Sequence, residues 1–145
     1  MRYFQAGANE AGDVMDAQGH IWHIPQEPGA FARARDLTAA ALGTWGWPSE
    51  RVEVAVLLVS ELVTNAHRHA GTDAWLHVEP LPDGVRIAVR DGSPAPLAQR
   101  TPGVSTASGG FGLHLLDHLA AGWGVDSRAD GKRVWAHVLG APSDA

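Results

Sequence analysis

Ser60-Glu-Leu-Val-Thr-Asn-Ala-His-Arg-His-Ala70 is the stretch on which the reading of this sequence turns. The residues before and within it, Val52, Val56, Val59, Leu62 and Val63, recur at helical spacing, so it is the second half of a helix from Glu50 to about His69. Ser49 is the expected N-cap, Glu50 and Glu53 complement the positive end of the helix dipole, and Gly71 supplies a glycine stop. Glu61 and Asn65 are i and i+4 and share one face of this helix. Beside Leu57, Leu58 and Leu62, a carboxylate and a carboxamide are awkward for a helix that only fills a core. Nucleotide-bound magnesium takes few protein oxygens and keeps several waters, so one Asn carbonyl plus a triphosphate suffices to hold it. A carboxylate one turn earlier could orient or deprotonate a water or hydroxyl that attacks a γ-phosphate. Alone, the spacing is weak, because exposed helix faces often carry such pairs.

Working outward, residues 1–19 are rich in Gly, Ala, Asn and Asp without periodicity and read as a flexible leader. Gln18 to Pro25 reads as an edge strand closed by a proline. Pro28 precedes a helical pattern of Phe31, Ala34, Leu37, Ala41, Leu42 and Trp45, which breaks over Gly43 to Pro48. After the central helix come strands Ala74 to Glu79 and Val85 to Arg90, joined through Pro80 to Gly84 as a hairpin. A long aperiodic stretch, Asp91 to Gly110, is expected to be a lid or a disordered segment. A short helix, Phe111 to Ala121, leads into a last hairpin with strands Trp123 to Arg128 and Arg133 to Leu139. This order, without internal repeat, predicts a two-layer α/β (α+β) sandwich, its mixed, largely antiparallel sheet covered on one face by helices. The domain is expected to span 20–140, with 141–145 as a flexible tail.

Two further segments carry candidate chemistry. In Ile87-Ala-Val-Arg-Asp91-Gly-Ser-Pro-Ala-Pro96, an Asp at a strand end followed by Gly can turn its carboxylate into a pocket and accept an amino hydrogen bond, as adenine would offer. An ordinary Asp-Gly turn explains it equally well. In Ser108-Gly-Gly-Phe-Gly-Leu-His-Leu-Leu116, glycines directly before a helix let backbone amides approach phosphates at the positive helix end. Glycine-rich loops also occur there for packing reasons.

The bulk properties narrow the class. At 145 residues, 45% hydrophobic and 19% charged, the chain has the composition of one globular domain. A net charge of -5 and a pI near 5.8 argue against nucleic acid as the main partner. With no cysteine, thiolate metal sites and thiol nucleophiles are excluded. The first residues lack a basic n-region and an apolar h-region, and no apolar run approaches the roughly 20 residues that span a bilayer, so no membrane role and a cytoplasmic location are expected.

The three segments in this order resemble the GHKL ATP-binding fold (the Bergerat fold) of gyrase, heat-shock chaperones, mismatch-repair ATPases and histidine kinases. Within it, the chain from about Pro28 to Leu139 looks most like the compact anti-sigma-factor serine kinases of the RsbW and SpoIIAB type. Glu61 to Ala70 resembles that family's N box, Val89-Arg-Asp-Gly-Ser-Pro94 its first glycine box and Gly109-Gly-Phe-Gly-Leu113 its second. Leu119 to Val125, followed by Gly131-Lys-Arg-Val-Trp135, fits the way such domains close. The resemblance implies ATP and Mg2+ as cofactors, with Glu61 as general base and Asn65 as the magnesium ligand. It gives Asp91 the adenine amino group, with Ser93 beside it, makes residues 94–108 the lid, and sets Gly109, Gly110 and Gly112 around the phosphates, followed by Leu113. It further implies transfer of the γ-phosphate to a protein serine, with a sigma factor or a STAS-type antagonist as partner, and a homodimer. Three positions depart from the pattern. Ser93 and Ala95 stand at glycine positions of the larger enzymes, and Arg133 stands where a Thr often assists adenine.

Other residues read as structural. His67 and His69 point about 200° apart on a helix and cannot chelate one ion, and His114 with His118 lacks an evident third ligand. Trp123 and Trp135 are expected to be buried, Trp45 and Trp47 partly exposed, and Lys132-Arg133 a solvated turn. Two alternatives stand beside the kinase: a nucleotide-gated binding module with little catalysis, and a detached histidine-kinase catalytic domain.

Overall fold

The computed structural model describes residues 14–16, 19–93 and 113–140. Along them run β1 (Val14–Asp16), β2 (Gly19–Ile24), α1 (Ala30–Thr44), α2 (Ser49–Thr64), a π-helical turn (Asn65–Ala70), β3 (Ala74–Leu81), β4 (Gly84–Asp91), α3 (Leu113–Leu119), β5 (Gly122–Arg128) and β6 (Gly131–Leu139). The strands form one six-stranded sheet in the order β1-β2-β3-β4-β6-β5, antiparallel at every described pairing. The expected sandwich is therefore present, and its sheet is more uniformly antiparallel than the mixed one anticipated. β2 is not an edge strand: β1, lying inside the stretch read as a leader, covers its outer side.

Strand parity explains the layering. In β3, Ala74, Leu76 and Val78 are buried and alternate with half-buried Trp75, His77 and Glu79. The register continues that buried face through Val85, Ile87 and Val89 of β4 and Val134, Ala136 and Val138 of β6. α2 packs on it through Ala55, Leu58, Val59, Leu62 and Val63. Val52 and Val56, expected inside, are only half-buried, because the inward stripe runs through Ala55 and Leu58 instead. Each fully buried Leu, Ile or Val contributes about 1.5–3 kcal/mol relative to exposure. α1 adds Ala30, Ala34, Ala41 and Leu42, with buried Thr38 satisfied by donating to the Ala34 carbonyl at 2.9 Å.

The opposite sheet face carries long planar side chains. The Arg90 guanidinium lies 4.9 Å from the Trp75 ring centroid, and Arg86 lies 5.9 Å from that of Trp135. A Cβ at Gly124 would strike the Trp135 ring, so β5 carries a glycine where that indole rests. Trp135 is consequently half-buried rather than buried. Trp123, opposite Ala136 on the helix-covered face, is also only half-buried, its Nε1 donating to Asp117 at 2.9 Å. Trp47 is buried beneath Gly140 and Trp45 half-buried.

Helix ends differ from expectation in one respect. Pro48, not Ser49, is the N-cap of α2, and no side chain caps it. The start is instead tied to the sheet by Arg51, whose Nη2 and Nε donate to the Leu139 carbonyl at 2.7 and 3.1 Å. The glycine stop is as expected, Gly71 lying at φ 71° in the left-handed region.

Candidate functional site

The helix carrying Glu61 changes its winding at Asn65. α2 ends at Thr64, and residues Asn65–Ala70 form a π-helical turn, a rare geometry found often at functional sites. The Asn65 backbone N–H still donates to the Glu61 carbonyl, so the two side chains remain one α-turn apart. Glu61 is half-buried and takes part in no ion pair among the described residues. Asn65 is 2% exposed, and its side-chain oxygen is buried without a hydrogen-bond partner among the described residues. A buried amide oxygen left unpaired costs about 1–3 kcal/mol, so its retention needs a reason.

The π turn is braced by side chains of which sequence reading singled out only His67, as a structural residue. His67 Nε2 donates to the Ile24 carbonyl at 3.0 Å, and its ring stacks on Phe31 at 5.5 Å. Gln26 Nε2 donates to the His67 carbonyl at 3.0 Å. The Gln26 backbone N–H and His23 Nε2 both donate to Asp73, each at 2.9 Å. The Gln26 backbone hydrogen bond, then the His23 side-chain one, holds the Asp73 carboxyl below its ordinary value. Together these contacts fasten the β2–α1 connection to the chain leaving Asn65.

Asp91, the last residue of β4, is 1% exposed and faces the helices. Its Oδ1 accepts from the Ser93 N–H at 2.8 Å, and its Oδ2 lies 2.9 Å from Lys132 Nζ. Lys132 is directly opposite Asp91 in the β4–β6 register and is 4% exposed, so the expected solvated Lys132-Arg133 turn is wrong. Arg133 has the other parity, opposite Arg90, and its Nη2 lies 3.3 Å from Asp126 Oδ2. The departure at Arg133 thus falls on the far side of the sheet from Asp91. Lys132 is the residue that bears on Asp91. The parity of Val134, Ala136 and Val138 carried this signal, since residue 132 continues their buried series.

Gly131, at φ 154°, allows this close pairing, because a Cβ there would collide with the Asp91 carbonyl oxygen. Thr72 links the two halves of the site: its hydroxyl accepts from the Gly92 N–H at 3.0 Å and donates to the Asp73 carbonyl at 2.8 Å. The structure thus brings Glu61 and Asn65 to one helix end, and Asp91 and Ser93 to the adjoining end of β4. Leu113 opens α3, whereas Gly109, Gly110, Gly112 and the lid 94–108 lie outside the described residues.

Residues 24–138, which contain this arrangement, match the model of the histidine kinase-like ATPase domain. The chain belongs to that family. A similar relative is an uncharacterized protein of Streptomyces coelicolor, 39% identical over 79 residues that make up 52% of this chain and 74% of the relative. As a histidine kinase-like ATPase domain, the chain is of the GHKL type, whose members bind and use ATP. No helix among the described residues is long and apolar enough to cross a membrane.

Proposed function

We propose that this histidine kinase-like ATPase domain is an ATP-dependent protein-serine kinase of the anti-sigma-factor type. The observation that carries the reading is the buried, unpaired Asn65 oxygen one turn after Glu61. A magnesium ion on the triphosphate would satisfy that oxygen directly or through a water, and the residue that would hold it is Asn65. When bound, such an ion neutralises charge developing on the phosphates.

In this reading Glu61 takes the proton of a partner's serine hydroxyl. The serine oxygen bonds to the γ-phosphorus, the bond from that phosphorus to the β–γ bridging oxygen breaks, and ADP leaves. Asp91 and Ser93 hold the adenine side, and the Gly109, Gly110, Gly112 and Leu113 stretch the phosphate side. The partner proposed is a sigma factor together with a STAS-type antagonist carrying the accepted serine, met by a homodimer in the cytoplasm.

Incubation with γ-labelled ATP, magnesium and a cognate antagonist tests the proposal. Label on an antagonist serine supports it, and no transfer by protein that binds ATP overturns it. One observation favours a second reading, a nucleotide-gated binding module: both Asp91 oxygens already have partners within the chain. Tight ATP binding without turnover, unchanged in Glu61→Ala, would select that alternative.

A further inference from the structure

We propose that Lys132 is a specificity-determining residue of the nucleotide site, setting a hydrogen-bond donor beside the Asp91 acceptor so that the pair reads the N6–N1 edge of adenine. The inference rests on the ATP-site reading above and extends it to Lys132, a residue to which that reading gives no role.

Lys132 Nζ lies 2.9 Å from Asp91 Oδ2, and the two side chains are 3% and 2% exposed. Lysine is almost never this buried unless paired, and the pairing partner here is the Asp91 carboxylate at the end of β4. Charge balance alone would account for the contact. Two features go beyond it. An ammonium carries three N–H donors and a carboxylate about four acceptor positions, so neither group is exhausted by the other. The ion pair also stands where β4 ends and β6 begins, beside Gly92, whose N–H donates to the Thr72 hydroxyl just after the helix carrying Asn65.

Adenine presents an amino donor at C6 beside an acceptor at N1. An acceptor and a donor fixed side by side match that edge. Their order is fixed as well: Asp91 is anchored by the Ser93 N–H, and Lys132 by its place in β6 opposite it. Hypoxanthine presents a carbonyl and an N–H in the reverse order, so it meets the pair mismatched.

Calorimetry on the wild type and Lys132→Met, with magnesium and each of ATP, inosine triphosphate and inorganic triphosphate, tests the assignment. The wild type is expected to bind ATP at least about tenfold more tightly than inosine triphosphate, since a site built around hydrogen bonds penalises a ligand that mismatches them. Lys132→Met is expected to lose at least about tenfold for ATP, to bind inorganic triphosphate as the wild type does, and to bring the two nucleotides together. A folded Lys132→Met with wild-type ATP affinity overturns the proposal, leaving Lys132 as a counter-ion only. An equal loss for all three ligands also overturns it, as a general structural defect. Should the variant fail to fold, the Lys132 ammonium resonance of the wild type decides. It is expected to shift with ATP and not with inorganic triphosphate, and no shift at saturating ATP overturns the proposal. A wild type that binds inorganic triphosphate but no nucleotide would sink the ATP reading itself, and this one with it.

Discussion

Lys132 and Asp91 face each other across β4 and β6 at 2.9 Å, each side chain almost fully buried. Removing one partner leaves the other charge without compensation. Lys132→Met should therefore lower the free energy of unfolding by about 3–5 kcal/mol, whereas Asp91→Asn combined with Lys132→Met should recover most of that loss. Urea denaturation of the three proteins measures this, and a loss under about 1 kcal/mol for the single variant would contradict the ion pair's structural weight.

Asn65 makes the opposite trade. Its oxygen is unpaired among the described residues, so Asn65→Leu should hold or raise stability, by up to about 1 kcal/mol, while removing magnesium-dependent ATP binding. Thermal unfolding alongside calorimetry, with and without magnesium, separates the two effects. A variant that is both less stable and still bound to ATP would show that the carboxamide serves packing.

Glu61→Gln preserves the size of the side chain and removes its basicity. Affinity for ATP should stay within about threefold of the wild type, and phosphate transfer should fall by roughly 10²–10⁴-fold, the usual contribution of a general base. Single-turnover transfer from labelled ATP is the appropriate measurement.

The brace around the π turn has a pH signature. Asp73 has a folded-state value lowered by the Gln26 N–H and then by His23. Its stabilising effect is therefore fully present above the ordinary carboxyl value of about 3.9 and is lost as the pH falls through the lower folded value. Asp73→Asn should be less stable than the wild type at pH 7, and the gap should close toward pH 3. Urea midpoints of both proteins at the two pH values check the sign; a gap that widens in acid would refute it.

Much of this molecule is legible in its sequence, for reasons that differ by element. The alternation in β3 and β4 and the apolar stripe of α2 are local signals, and they give the sandwich directly. The pairing of Glu61 with Asn65 is likewise a property of one helix. What escaped depends on residues far apart in the chain. Lys132 looks like part of a polar turn until the register sets it opposite Asp91, 41 positions earlier in the chain. The short β1 has no pattern of its own and exists because β2 offers it an edge. The brace from Gln26, His67 and Asp73 joins three segments, and no one of them announces it. The departure that drew notice, Arg133, belongs to the other face of the sheet.

The π turn at Asn65–Ala70 winds more residues into its length than an α-helix would. Everything before Asn65 is phased to the core through Leu58, Leu62 and Val63, and everything after it to the β2–α1 connection through His67. The turn therefore works as a vernier between two scales that do not share a common division. It lets the helix seat Asn65 by one phase and leave by another, so the short exit through Gly71 can deliver Thr72 to Gly92 and Asp73 to Gln26.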